Sequence, residues 1–452
     1  MLLVLIVLSG GALRFHAASR TRATLSADEQ AYTHIADALR LHHRWGTPHE
    51  TDPFRWAPGT PVLFAAAAFV ARAHSVGDGH GLGPARVAQA LVSTLTILAA
   101  WGLAFVLAGW GAGLLAAAGI AFYAPAIHDA GSLLSEPLGA LLLLCGLLAL
   151  ALAVRRDVRL SRGNPDALDR RRTVAAYGGA GAVLALSALA RADMLAAALV
   201  IPLVVLVGRR RLGWRAAILR AGVMLATTLA VLAPWAAYAS ERTHHLVPIT
   251  DGTQDTVFIA TYLPGNGELH FVFLAFKAAA CRRFHSASAC NNDPLTVPPA
   301  NEVFTVVAAE HPNLGRSAAI SAAVHENLHK YLFGQPVQYA GMLARHFWRL
   351  WGGYFLGALG YRLNTGTLWF HRLLVLLSTI GLLAGLWRSR DLTLAAATVA
   401  LVLISALNTV YVAEARDNER MIPLLVAAGM AGWFLALRPR PGGARHDVAP
   451  RI

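Results

Sequence analysis

From Val87 to Ile127 the chain runs for 41 residues without a formal charge. That is enough for two helices of about 20 residues, each crossing about 30 Å of hydrocarbon. With 56% hydrophobic and 14% charged residues and a mean hydropathy of +0.50, the 452-residue chain cannot hide its apolar surface in a soluble core. It reads as an integral membrane protein. Further spans are expected at about 132–153, 174–190, 193–208, 217–239, 368–387, 392–411 and 421–437. With the opening segment this makes about ten.

The net charge of +14 points to topology rather than to nucleic acid. Seven arginines lie between Arg155 and Arg172, five between Arg209 and Arg220, two at Arg388 and Arg390, and four from Arg438 to Arg451. Basic loops mark the cytoplasmic side and meet anionic lipid headgroups there. Parity then puts 19–86 and about 241–367 outside. Two apolar stretches, Pro61 to Ala73 and Gly341 to Leu356, read as helices lying in the outer interface. The second carries Arg345, His346, Trp348, Arg349 and Trp351. The fold class expected is therefore all-α, with about ten transmembrane helices plus two interfacial helices in extracytoplasmic loops. Three parts follow: 1–240, with a catalytic first outer loop at 19–86; 241–367, an outer loop with its interfacial helix; and 368–452, the last spans and a cytoplasmic tail. Met1 to Leu13 is kept as a span rather than a signal peptide, because it lacks a basic start and its removal would break the parity.

Within this layout Asp28-Glu29, followed by Tyr32, stands just beyond the first span. Carboxylates beside a span are costly and mark functional sites, although a solvated loop with ordinary acids gives the same letters. His128-Asp129 and Ser135-Glu136 occupy the next outer turn. Glu136-Pro137 also reads as a plain helix start. Cys145 is in a span, while Cys281 and Cys290 are spaced for a disulfide outside. His325-Glu326-Asn327-Leu328-His329 is a formal HExxH, a pattern that sets two zinc ligands on one helical face. No Asp or Glu occurs from Lys330 to Arg390 to complete it, and His346 is the remaining third ligand. A zinc protease is thus the weakest of three readings. A transporter or lipid flippase is the second, but it calls for ionisable groups near the midplane. No glycine-rich phosphate loop follows a strand, which disfavours a nucleotide-bound donor.

Several motifs taken together resemble the GT-C glycosyltransferases, which include the protein O-mannosyltransferases and the lipid A aminoarabinose transferase. They are Arg14 closing the first span, SADEQAY at 26–32, RWAPGTPVLF at 55–64, LLSEPLGALLLL at 133–144, ALARADML at 188–195 and ARDNERMIPLL at 415–425. The resemblance implies transfer of a sugar, mannose or a pentose among the choices, from a polyprenyl-phosphate carrier to a protein, lipid or glycan acceptor. It also implies an extracytoplasmic site in an inner-membrane protein. Asp28 carries over as the base of an inverting single displacement, Glu29 as its support, and Tyr32 as a substrate contact. The departing lipid phosphate needs a cation, and arginine presents a planar fork to phosphate oxygens. Arg416 and Arg420 are the leading candidates, with Arg55 and Arg191 behind them. Arg191 with Asp193 also reads as an internal ion pair. In part of this family acids of the first loop and the next turn hold a divalent ion, so Asp129 and Glu136 are candidate metal ligands, and no cofactor beyond that ion is expected.

Overall fold

The computed structural model describes residues 1–20, 25–46, 53–77, 81–160, 167–207, 213–251, 253–268, 307, 310–353, 365–411 and 415–438. Cys281, Cys290 and most of the middle loop lie outside the described residues. Among the described residues, the regular structure is helical throughout. The helices are α1 (Leu2–Ser19), α2 (Ala27–His42), α3 (Gly59–Val70), α4 (Pro84–Ala108), α5 (Trp110–Ala121), α6 (Ala124–Asp129), α7 (Glu136–Leu160) and α8 (Ala167–Ala190). There follow α9 (Leu195–Val207), α10 (Trp214–Thr243), α11 (Thr253–Thr261), α12 (Arg316–Asn327), α13 (Pro336–Gly352), α14 (Thr365–Ser389), α15 (Leu392–Val410) and α16 (Ile422–Leu437).

Seven of them, α1, α4, α7, α8, α10, α14 and α15, are long and apolar enough to cross a membrane. The chain is a multi-pass membrane protein. The three further spans expected from the sequence are the shorter apolar helices α5, α16 and the one that contains α9. Large apolar side chains on the outside of the bundle, such as Leu5 and Leu8 on α1 and Leu376 and Leu383 on α14, stay exposed as a lipid-facing surface requires.

The charge-free run breaks at Gly109, whose φ of +99° closes α4 and opens α5. At 1.5 Å per residue the 12 residues of α5 rise only about 18 Å, short of a bilayer's hydrocarbon. The helix therefore ends inside the bundle, and the short α6, with Pro125 in its first turn, carries the chain on to Asp129. Arg14 meets this end. It is fully buried, donates from Nη1 to Ala121 O at 3.0 Å and from Nη2 to Ile120 O at 2.8 Å, and thereby satisfies carbonyls that a helix C-terminus leaves orphaned. Gly10, where a Cβ would meet Ile97 and Ala121, allows the approach.

The two ends of the bundle differ in charge. Arg438 reaches Ala108 O at the end of α4, Arg388 reaches Arg438 O, and Arg220 and Tyr177 converge on Asp157. The start of α4 lies at the other end, where Arg86 donates to Gly131 O and Ala85 N to Val76 O. There α2 and α3 sit, with α13 as an amphipathic helix: Tyr339, Met342, His346 and Leu350 are buried on one face, while Val337, Phe347 and Trp348 are exposed on the other.

Candidate functional site

The acid pair opens α2. Ser26 and Glu29 form a capping box, in which the Glu29 carboxylate accepts from Ser26 N and Oγ at 2.9 Å each. Its other oxygen accepts from Leu133 N at 2.9 Å. Glu29 is buried and spends its carboxylate joining the first loop to the turn that leads into α7. Asp28, one residue earlier, is left half-buried at the helix start. Its carboxylate accepts from Arg416 Nη1 at 2.7 Å, across 388 residues of sequence.

Arg416 belongs to the 3-10 turn Ala415–Asn418, which runs into α16. This turn is pinned to its surroundings. Asn418 donates to Leu350 O and Gly353 O at the end of α13. Arg420 has no exposed surface and is held by Asp417, by Asn408 Oδ1 at 2.7 Å and by Asp193. Arg191 meets Glu136 at 2.8 Å, Asp417 at 2.9 Å and Ser135 Oγ at 2.9 Å. Burial opposes ionisation of Asp417, but Arg420, Arg191 and Arg416 outweigh it and hold the carboxyl below the usual range. The sequence motifs at 188–195 and 415–425 thus form one ionic lattice. Arg191 and Arg420 are internal struts within it, rather than cations on an open surface.

Glu419 is the exception to this pairing. No described arginine or backbone N–H donates to its carboxyl, which is only 5% exposed. Burial, then the adjacent Asp129 and Glu136, push its carboxyl well above the ordinary glutamate range. Asp129 is close enough to share a proton with it. These acids line a small cavity with Arg14, Ser93, Thr96, Ile120, Ala126, Pro137, Ala140 and Pro423, whose interior of about 20 Å³ has room for about one water.

Tyr32 is buried, packed edge-on against Trp56 with ring centroids 5.3 Å apart, and its hydroxyl meets Ser135. Burial, against the opposing pull of Arg191, pushes that hydroxyl up to about 12. It presents no open stacking face. Arg55 stands apart, over the Trp56 ring and in an ion pair with Asp255 at 3.4 Å. No three His, Cys, Asp or Glu side chains among the described residues gather as metal ligands. One Glu136 oxygen is held by Arg191, while its other oxygen has no hydrogen bond. The HExxH string straddles the end of α12 and a π-helical turn, with His325 and His329 exposed. His346 uses one ring nitrogen on Thr409 O and the other on Asn266 O, so it is not a third zinc ligand.

The site residues that sequence reasoning missed are Glu419, Asp417, Asn408 and the depth of Arg14. Two signals pointed to them: Arg14 is the one arginine in the opening span, and Glu419 directly precedes Arg420.

No protein-family model matches the chain, and no curated protein matches it. Solved structures do. The oligosaccharyltransferase AglB from Archaeoglobus fulgidus, in complex with an inhibitory peptide and a dolichol-phosphate, superposes with a TM-score of 0.55 and 17% identity, over 96% of this chain and 49% of that one. The A. fulgidus oligosaccharyltransferase in complex with Zn and sulfate gives 0.56 and 17%, over 96% and 48%. ArnT from Cupriavidus metallidurans bound to undecaprenyl phosphate superposes more loosely, at 0.42 and 15%, over 96% and 76%. The chain spans about half the length of the oligosaccharyltransferase chains. The GT-C type of fold expected from the motifs is the fold it has.

Proposed function

We propose that this chain is a membrane glycosyltransferase that moves a sugar from a polyprenyl-phosphate carrier to an extracytoplasmic acceptor. The observation that carries the reading is the Asp28–Arg416 pair, a first-loop carboxylate on a last-loop guanidinium, beside buried acids on the fold of an oligosaccharyltransferase. That enzyme's structure contains a dolichol-phosphate.

The pair suits the two ends of such a reaction. A lipid phosphate entering the site competes for Arg416, whose guanidinium matches phosphate oxygens, and in doing so releases Asp28. Asp28 then takes the proton of the acceptor hydroxyl as its oxygen bonds to the anomeric carbon. The bond from that carbon to the phosphate oxygen breaks, its electron pair leaves with the lipid phosphate, and the anomeric configuration inverts. Arg416 stabilises the charge gathered on the leaving group. Glu29 keeps α2 in register with the turn before α7, and Arg191, Asp417 and Arg420 fix the loop that carries Arg416. No step is routed through a metal.

The test is transfer from polyprenyl phosphates bearing radiolabelled mannose, arabinose or glucose to membrane-extract acceptors, with and without chelator. Asp28→Asn is expected to lower transfer by about 10²- to 10⁴-fold while leaving binding of the bare lipid phosphate in place. Transfer by Asp28→Asn at the wild-type rate would overturn the assignment of the base.

A further inference from the structure

Along α14 the side chains of Trp369, Leu373, Leu376, Ile380, Leu383 and Trp387 follow one another at steps of three and four residues, and all are exposed. One stripe of this helix therefore faces lipid. Trp369 and Trp387 stand 18 residues apart. At 1.5 Å per residue that is a rise of about 27 Å, close to the hydrocarbon thickness of about 30 Å, and tryptophans at the two ends of such a stripe mark the two interfaces. Arg372 lies about one helical turn inward of Trp369, where headgroups give way to acyl chains. The end of α13 meets it there. Gly352 O accepts from Arg372 Nε and Trp351 O from His371 Nε2, at 3.0 Å each, while Asn418 serves Leu350 O and Gly353 O, so the last carbonyls of α13 are capped from outside the helix and the two helices are fixed to one another. The bond to Gly352 uses one of the five guanidinium N–H donors of Arg372, and the described residues take no hydrogen bond from the four on its terminal nitrogens. Its guanidinium carbon lies 5.6 Å from the Trp348 ring centroid and 5.5 Å from that of Trp369, and both rings are exposed. A cation at this depth is costly without an anion. The sequence offers none nearby: from Lys330 to Arg390 there is no Asp or Glu, and the neighbouring Arg345 and Arg349 are held by Asn266 and Glu268.

We propose that Arg372, Trp348 and Trp369 form a binding site for the headgroup of an anionic bilayer phospholipid at the corner between α13 and α14. The bilayer supplies a phosphodiester at this depth, and its oxygens match the guanidinium fork. The terminal N–H groups of Arg372 donate to the phosphate, the two indoles hold the guanidinium between them and cover the upper carbons of the lipid, and the acyl chains run along the apolar stripe of α14. Because no carboxylate of this stretch opposes the arginines, a headgroup without an ammonium of its own is favoured over a zwitterionic one. The site uses none of the residues assigned to sugar transfer and stands independently of that reading.

Native mass spectrometry of the full chain released from detergent micelles counts the lipids it retains. The protein is titrated with dioleoylphosphatidylglycerol, with dioleoylphosphatidylcholine and with decaprenyl phosphate. Wild type is expected to hold one phosphatidylglycerol about tenfold more tightly than phosphatidylcholine, and Arg372→Gln to bring that ratio to about two or below. Trp348→Leu changes an exposed side chain and removes one face of the guanidinium sandwich, so it is expected to weaken phosphatidylglycerol binding about threefold, and it decides the matter should Arg372→Gln fail to fold. A wild type without preference between the two phospholipids overturns the site. So does a ratio that Arg372→Gln leaves unmoved, or an affinity that Trp348→Leu leaves unmoved. Displacement of the retained phosphatidylglycerol by an equal or lower concentration of decaprenyl phosphate overturns the choice of a bilayer lipid and gives the corner to a polyprenyl carrier instead.

Discussion

Arg416 and Arg420 stand four residues apart and do different work. Arg420 is fully buried with three partners, so Arg420→Ala would leave Asp193 and Asp417 with Arg191 as their remaining ion-pair partner and strip Asn408 of its donor, and is expected to cost about 1–3 kcal/mol in stability. Arg416 and Asp28 keep about a quarter of their side-chain surface exposed, and losing that pair should cost about 1 kcal/mol or less. Thermal unfolding beside a transfer assay checks the contrast: Arg416→Ala should melt near wild type yet lose transfer, and a variant that melts normally with full transfer sinks its role. Glu419 adds a pH signature. Burial and the adjacent Asp129 and Glu136 push its carboxyl above the ordinary glutamate range, so from about pH 5 upward the unfolded chain binds fewer protons and stability falls as pH rises. Asp417, held below its ordinary range, acts oppositely and loses its contribution only in acid. The melting difference between Glu419→Gln and wild type should therefore grow in favour of the variant between about pH 5 and 8, and a flat difference would refute the raised pKa. At this scale the sequence showed residue types but not partners. Asp28, Arg191 and Arg416 were legible as charges beside spans, yet a bond across 388 positions leaves no local pattern. Whether an arginine is a strut or a ligand depends on burial, which adjacent letters do not encode.

Helix placement sets the site as much as its side chains do. The last loop is carried by α16, which packs backbone to backbone on α14 through Gly381, Gly385, Gly429 and Gly432. A Cβ at any of these would collide with main-chain atoms of the facing helix. Gly432→Ala must push the two helices apart, so about 1–3 kcal/mol of stability should be lost. Gly179 in α8 has open space around its Cβ position and no unusual φ, and Gly179→Ala there should be neutral or slightly stabilising. Melting temperatures of the two variants provide the check, and equal effects would mean that the crossing is not as tight as described. Helices were the most legible level of the chain. Uncharged runs bounded by arginines located the ten segments, and the Ser26–Glu29 spacing signalled the start of α2. The depth at which α5 stops was not legible. Gly109 marks the break, but the inner end of α5 is set by Arg14, which arrives from another helix to satisfy its carbonyls.

The bundle as a whole is polarised, and this polarity is a claim about sides of a membrane. Arg156, Arg220, Arg388 and Arg438 gather at the end where α4 finishes, while Asp28, Arg191, Glu136 and Arg416 gather at the end where α4 begins. A membrane-crossing helix of 25 residues rises about 37 Å, so the two groups lie on opposite surfaces. Lysine and arginine are retained on the cytoplasmic side during insertion, so the acid-lined end is expected to face out, and we propose that a lipid-linked sugar is met there in the outer leaflet. Single cysteines in a cysteine-free background test this with a membrane-impermeant maleimide on intact cells. Leu246→Cys, at an exposed position after α10, should label without permeabilisation, and Arg159→Cys, near the end of α7, only after it. Labelling of both from outside would place the basic loops and the acids on one side and remove the physical basis for a site at the outer surface. The reverse pattern would put the Asp28 end in the cytoplasm, and the acceptor would then have to be a cytoplasmic one.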